Sequence, residues 1–314
     1  MAAKVWGTQQ KSVEEVFFQN EAVSLCLLIN RRARTMRVID FRAGPTTAKR
    51  LFVLALAKRE GVDKVYTLVE RDEVQTWLKL GFTKEGNIPG FYKRSDAFLL
   101  GCSALTGGAA ASQDVPGQSE MRLTVAAVAG AAVPMSAAQE RMEATIAAAK
   151  RGLKDVAAGA PQSAKIVATD EAEARKAVAA ALRSGRALTA FEPFGRDVER
   201  RYFVATTRGG FEIHASTESQ ACFGNAYLEL LQSPRTNTEK LGTAAVLRSF
   251  CEKLTSEGVV SCFSLAPSDD VALAAAYLHN GFRRTGLLLE HLYVGGKRKD
   301  LILWSRKLAN PGDE

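Results

Sequence analysis

Residues 277–282 read Tyr-Leu-His-Asn-Gly-Phe, and residues 77–82 read Trp-Leu-Lys-Leu-Gly-Phe. Each closes an apolar helical stretch on glycine, the residue that most readily takes the left-handed conformation a helix end requires. In each, phenylalanine then opens a strand. Working outward, the matches continue in order. Glu60-Gly61-Val62 corresponds to Glu257-Gly258-Val259, each ending a longer amphipathic helix, and Asp72-Glu73-Val74 corresponds to Asp269-Asp270-Val271. Gly86 and Gly286 follow at the same distance, and Asp96 to Leu100 then matches Asp300 to Trp304. The series keeps its order at an offset of about 200 with a short slip, which is the signature of a repeated supersecondary unit.

Period and punctuation place the elements. In the amino-terminal part, strands are predicted at 22–30 and 36–42, a helix from Thr46 or Thr47 to Arg59, and a strand at 65–69. A helix at 72–80 and a strand at 97–100 complete this part. Residues 103–121 are poor in hydrophobics and rich in Gly, Ala, Ser and Gln, which marks a linker. The alanine-rich stretch beyond it carries a stripe of Met142, Ile146, Leu153 and Val156, suited to packing on a domain surface. The carboxyl-terminal part starts with a strand at 165–168 and a helix opened by the capping pattern Asp170-x-x-Glu173. A hairpin at 201–206 and 211–215, a strand at 226–231, a helix at 238–255 and a strand at 260–265 follow. A helix at 270–279 and strands at 285–293 and 301–305 end the series. The expected organisation is a partial unit at 1–102, a linker and helical segment at 103–163, a fuller unit at 164–309, and a tail at 310–314.

Composition bounds the chemistry. The 314 residues are 46% hydrophobic and 24% charged, ordinary values for a globular protein of two domains. The net charge of +8 (pI near 9.3) is spread over short basic clusters. No cluster is interleaved with aromatics as a base-stacking platform would be, which argues against nucleic acid and leaves an anionic ligand or an acidic protein partner. Five cysteines form no C-x-x-C pair, and the three histidines are too dispersed for a metal signature. No metal is expected. The longest apolar stretch, 125–133, is too short to span a bilayer, and the start of the chain lacks a secretory pattern. A cytoplasmic protein is the expectation, and a homo-oligomer is compatible with it.

The strand–helix–strand–helix–Gly-Phe–strand–strand order resembles the carboxyl half of the GCN5-related N-acetyltransferases. The aromatic-x-x-x-Gly-Phe pattern of many members stands here as Tyr277 to Phe282. More narrowly, the chain resembles the β-lysine N-acetyltransferase group. It shares an incomplete first segment closing on Ile88-Pro89-Gly90-Phe91-Tyr92 and Asp96-Ala97. It shares also an aromatic-Pro-Phe motif, Phe191-Glu192-Pro193-Phe194, and a Gly295-Gly296 turn before a Trp304-bearing strand. The resemblance implies an α/β (α+β) fold of two such domains, with mixed, largely antiparallel sheets flanked by helices, the first domain incomplete.

It also implies acetyl-CoA as the acyl donor and a primary amine, of a small molecule or lysine-like, as acceptor. Tyr277 would protonate the leaving thiolate; its plainer reading is an aromatic packed under the sheet. Glu229 would be the general base, directly or through water, or simply a solvent-facing strand residue. Phe191 and Phe194 would wall the substrate. The pyrophosphate loop aligns with residues 238–244, giving Leu231, Thr238, Lys240, Gly242 and Thr243 as cofactor contacts. That loop retains one displaced glycine and carries Glu239 where phosphates would sit. The loop from Arg42 to Arg50 is chemically friendlier to an anion, or else an ordinary capped helix start. Trp77 stands where Tyr277 does and has no proton to exchange. The rival reading is a degenerate pair of acetyltransferase folds, a pseudoenzyme kept for binding or regulation.

Overall fold

The computed structural model describes residues 13–19, 24–40, 46–92, 95–104, 136–188, 194, 198–220, 223–294 and 296–309. The first part contains β1 (Val13–Gln19), β2 (Ser24–Asn30), β3 (Thr35–Asp40), α1 (Thr47–Arg59), β4 (Lys64–Val69), α2 (Val74–Lys79), β5 (Thr83–Ile88) and β6 (Ala97–Ser103). Two helices follow, α3 (Ala137–Arg151) and α4 (Leu153–Gly159). The second part runs β7 (Ala164–Thr169), α5 (Glu171–Arg183), β8 (Glu199–Thr207), β9 (Glu212–Gln220) and β10 (Asn225–Leu230). It closes with α6 (Asn237–Ser256), β11 (Ser261–Pro267), α7 (Val271–His279), β12 (Arg283–Val294) and β13 (Lys297–Lys307). Thus β1-β2-β3-α1-β4-α2-β5-β6 and β8-β9-β10-α6-β11-α7-β12-β13 are one order twice over. The second adds β7 and α5.

All strands among the described residues belong to one sheet of 13, in the order β1-β2-β3-β4-β6-β5-β12-β13-β11-β10-β9-β8-β7. Pairing is antiparallel except between β3 and β4 and between β10 and β11, so the sheet is mixed and largely antiparallel. The two parts do not form separate sheets. They join at the centre, where Gly86 of β5 faces Gly286 of β12. A Cβ on Gly286 would lie 2.6 Å from the Gly86 Cα and the Glu85 carbonyl oxygen, so this approach needs glycine. β1 was not expected from the sequence. Its charged pair Glu14-Glu15 breaks the alternation that reveals a strand, and pairing with β2 along all seven residues supplies what the pattern lacks.

Successive strand residues point to opposite faces, and the core divides accordingly. On the α1–α2 side Trp77 of α2 packs with Leu25, Leu27, Met36, Val65 and Phe82. Met142 and Ile146 of α3, Phe250 of α6 and Tyr277 of α7 cluster with Phe282 and Trp304. The Met142–Ile146 part of the predicted stripe is buried and covers α7, while Leu153 and Val156 are half-buried. The opposite face is shared by both parts: Tyr66, Phe91 and Leu99 pack with Phe194, Tyr227, Phe263 and Leu303. The β5–β6 turn reaches the second part, where Asn225 Nδ2 donates to the Phe91 carbonyl at 2.6 Å. The β12–β13 hairpin answers it. Arg298 donates to the Arg34 carbonyl at 2.6 Å and pairs with Asp63 at 3.1 Å. Among the described residues no helix is long and apolar enough to cross a membrane.

Candidate active site

The site is built where two parallel strands stop pairing. β10 and β11 are joined at Asn225–Ser261, Ala226–Cys262 and Tyr227–Phe263 only. Beyond them Leu228 to Leu230 and Ser264 to Pro267 run on without ladder pairs to each other, each still paired on its far side, leaving a wedge between backbones. The equivalent strands β3 and β4 keep a further pair, Val38–Thr67. There Thr67 Oγ1 also donates to the Val38 carbonyl at 2.8 Å. Ser264 occupies the place of Thr67, opposite Trp304 as Thr67 is opposite Leu100. Its hydroxyl turns instead to the Tyr277 phenol, 2.6 Å away.

Tyr277 lies on α7 beneath the wedge, stacked on Trp304 (centroids 5.4 Å, planes 11° apart) and edge-on to Phe282. Burial, only partly offset by the hydrogen bond with Ser264, pushes its phenol well above the usual range, so it holds its proton at neutral pH. Trp77 repeats the pose: its ring meets Phe82 at 4.8 Å and 79°, against 5.1 Å and 78° for Tyr277 and Phe282. The repeat seen in the sequence is therefore a repeat of packing, with a proton donor in one copy.

Glu229 and Tyr227 project from β10 to the other face. Glu229 is buried, not solvent-facing: it takes Arg200 Nη2 at 2.5 Å and the Ser216 hydroxyl at 3.1 Å. The strand register explains this meeting, since Arg200 is opposite Glu218, Glu218 opposite Tyr227, and Ser216 opposite Glu229. Arg200 also reaches Glu218 at 3.4 Å, and both Glu218 oxygens accept the Phe194 N–H, at 3.0 and 2.9 Å. One guanidinium thus serves two buried carboxylates. Phe194 is buried against Tyr227 (5.1 Å) and Phe263 (5.2 Å), and its carbonyl accepts from Arg37 of β3 at 2.6 Å. Phe191 lies outside the described residues.

The start of α6 holds the residues aligned with the phosphate loop. Helix begins at Asn237, so Thr238 and Lys240 are exposed first-turn residues, and Gly242 and Thr243 belong to the second turn, not to a loop. Gly242 answers to packing, because a Cβ there would come within 2.2 Å of Phe211 Cδ1. The Thr243 hydroxyl is spent on the Glu239 carbonyl at 2.7 Å. Buried Leu231 gives its N–H to the His214 carbonyl at 2.9 Å. Thr236 and Glu239 form a reciprocal capping box. The Glu239 carboxylate further accepts the Arg235 N–H at 2.6 Å and Arg186 at 2.7 Å. Burial opposes its ionisation, yet these N–H groups and Arg186 hold it below the usual carboxylate range. A carboxylate of the chain therefore sits where a helix start would receive phosphate.

Of the loop from Arg42 to Arg50 in the first part, only the end is described. Arg42 to Pro45 lie outside the described residues. Lys49 turns inward, buried, with Nζ 4.4 Å from the Trp77 ring centre. Burial lowers its pKa to about 8, with Glu73 opposing. Arg50 lies over Gly81, where a Cβ would come within 2.8 Å of its Nη1. Among the described residues no cluster of His, Cys, Asp and Glu could hold a metal.

Sequence reasoning missed Arg200, Ser216, Glu218, Ser264 and Arg37. Arg200 and Tyr202 alternate on one strand, as do Ser216 and Glu218 on the next, so each pair shares a face. That signal was present, but nothing in it named the partner strand.

No family model and no curated protein matches the chain. Among solved structures, it is similar to a spermidine N-acetyltransferase from Vibrio cholerae in complex with CoA and spermine, at 13% identity over 47% of this chain and 96% of that one, TM-score 0.38. It is similar also to the ribosomal-protein-S18-alanine N-acetyltransferase from Escherichia coli, at 20% identity over 48% and 97%, TM-score 0.35. Values this low leave the fold to be read from the strand order itself.

Proposed function

We propose that the chain is an N-acetyltransferase, moving an acetyl group from acetyl-CoA to a primary amine at the wedge between β10 and β11. Residues 164–309 form the catalytic unit, residues 1–102 a partial unit of the same kind, 103–163 the connection and 310–314 a tail. The observation that carries this reading is the Tyr277 phenol, hydrogen-bonded to Ser264 at the first position where the strands part. Backbone groups without ladder partners suit an extended amide-bearing arm such as that of the thioester donor. The amine nitrogen would form its bond to the acyl carbon as the carbon–sulfur bond breaks. Glu229 would take the amine's proton, directly or through water, and Tyr277 would give one to the sulfur.

The start of α6 does not fit a pyrophosphate while Glu239 caps it, and this favours a second reading, a regulatory or binding module without turnover. Calorimetry with acetyl-CoA separates the two. Saturable binding, followed by amine-dependent release of the thiol, supports the enzyme. No binding at millimolar ligand sinks it and leaves the module, with an acidic protein among its candidate partners.

A further inference from the structure

A further asymmetry between the two parts lies away from the wedge, at the start of β11. There the β5–β6 turn, the first residues of β11 and β12 and the last of β13 enclose a cleft of about 540 Å3. Ser261 pairs with Lys307 and Arg283 with Ser305 in the ladders, so these four side chains share one face of the sheet. Arg283 and Lys307 are exposed and form no ion pair among the described residues, and no carboxylate lines the cleft. Arg306 also borders it but hydrogen-bonds towards the Cys251 thiol. The Ser261 hydroxyl is buried and without a hydrogen-bond partner among the described residues. Such a group costs about 1–3 kcal/mol unless a ligand oxygen meets it. Ile88, Pro89 and Val260 give the cleft an apolar flank.

The first part shows that the fold does not require this opening. The positions of Ser261, Thr285 and Ser305 are held there by Lys64, Glu85 and Gly101. Lys64 and Glu85 form an ion pair with each side chain 5% exposed. The pair fills the space over Gly101, where a Cβ would come 2.6 Å from Glu85 Oε2 and 2.7 Å from Lys64 Nζ. Arg283 and Lys307 are replaced by uncharged Thr83 and Ser103. One copy is plugged by its own neutral ion pair. The other is open, with unpaired cations and an unsatisfied hydroxyl.

We propose that this cleft is a second ligand site, taking a phosphate group carried on an apolar body. Arg283 and Lys307 would hold the oxyanion, Ser261 would donate to it, and the Ile88–Pro89 turn would cover the apolar end. The site lies before the last β10–β11 ladder pair, and the acyl-transfer wedge lies beyond it. The two would therefore fill independently.

Calorimetry of the full chain with phenyl phosphate, repeated with acetyl-CoA saturating, tests this. Saturable binding is expected under both conditions. Arg283→Glu combined with Lys307→Glu should weaken it by about tenfold or more. Transplanting the plug (Ser261→Lys, Thr285→Glu, Ser305→Gly) should abolish it. Should that triple variant fail to fold by circular dichroism, the charge-reversed pair decides alone. Binding that charge reversal leaves unchanged, binding that acetyl-CoA displaces, or no saturation by about 10 mM overturns the proposal.

Discussion

The two parallel seams of the sheet, β3 with β4 and β10 with β11, start from the same frame and end differently. Three changes separate them. Thr67 closes its seam by bonding the Val38 carbonyl, whereas Ser264 leaves its seam open and bonds a phenol. Trp77 fills its pocket with apolar ring, whereas Tyr277 fills it with a ring that carries a proton. Lys49 is buried on Trp77, and at the corresponding turn of α6 stands buried, apolar Val246. A fold repeated twice thus shows which features belong to folding and which exceed it. The helix–Gly-Phe corner serves folding in both parts. The open seam, the phenol and the Arg200–Glu229 cluster occur only in the second.

The comparison breaks most severely at the centre. Gly286→Val should destabilise the whole chain by about 3 kcal/mol or more, since backbone lies against the added carbons on both sides. Thermal unfolding should show one transition for both parts; two independent transitions would separate them. Tyr277→Phe should lower kcat by about a hundredfold with KM nearly unchanged, and Trp77→Phe should leave kcat alone. Equal losses in both variants would contradict the asymmetry. Trp77→Phe should instead cost about 1–3 kcal/mol of stability through the volume lost in a closed core.

Acid should loosen the embrace between the parts. His291, half-buried with its ring 4.9 Å from that of Tyr66, has its pKa lowered to about 3, first by desolvation and then by Lys64 and Arg298. The unfolded chain therefore binds a proton between pH 6.5 and 3 that the folded chain refuses. The contribution is complete above pH 6.5 and falls as pH drops, by about 3 kcal/mol near pH 4.5. Urea unfolding of His291→Phe should lack this slope. The smallest effect belongs to Glu239→Ala. Removing the carboxylate at the start of α6 should tighten acetyl-CoA binding several-fold at a cost of about 1 kcal/mol in helix capping. Weaker binding would show that Glu239 assists the ligand.

Much of this was legible in the chain. The order of helices and strands follows from period and glycine punctuation, and Tyr277 was marked by its place before Gly281-Phe282. The joining of the parts into one sheet was not legible, because Gly86 and Gly286 mark equivalent positions without saying that they touch. The Arg200–Glu229 pair was hidden for a related reason, since it exists only once three strands are in register. At α6 the signal was present and read otherwise. The predicted helix at 238–255 starts within a residue of the observed one, but the capping box Thr236-x-x-Glu239, plain in sequence, was not read as such, and residues 238–244 were aligned with a phosphate loop instead.

Backbone hydrogen exchange with and without acetyl-CoA tests the central claim most directly. Ligand should slow exchange at Leu228 to Leu230 and Ser264 to Ala266, and leave Val38 to Asp40 and Thr67 to Val69 unchanged. Protection at the first seam, or at neither seam with millimolar acetyl-CoA, would contradict the account.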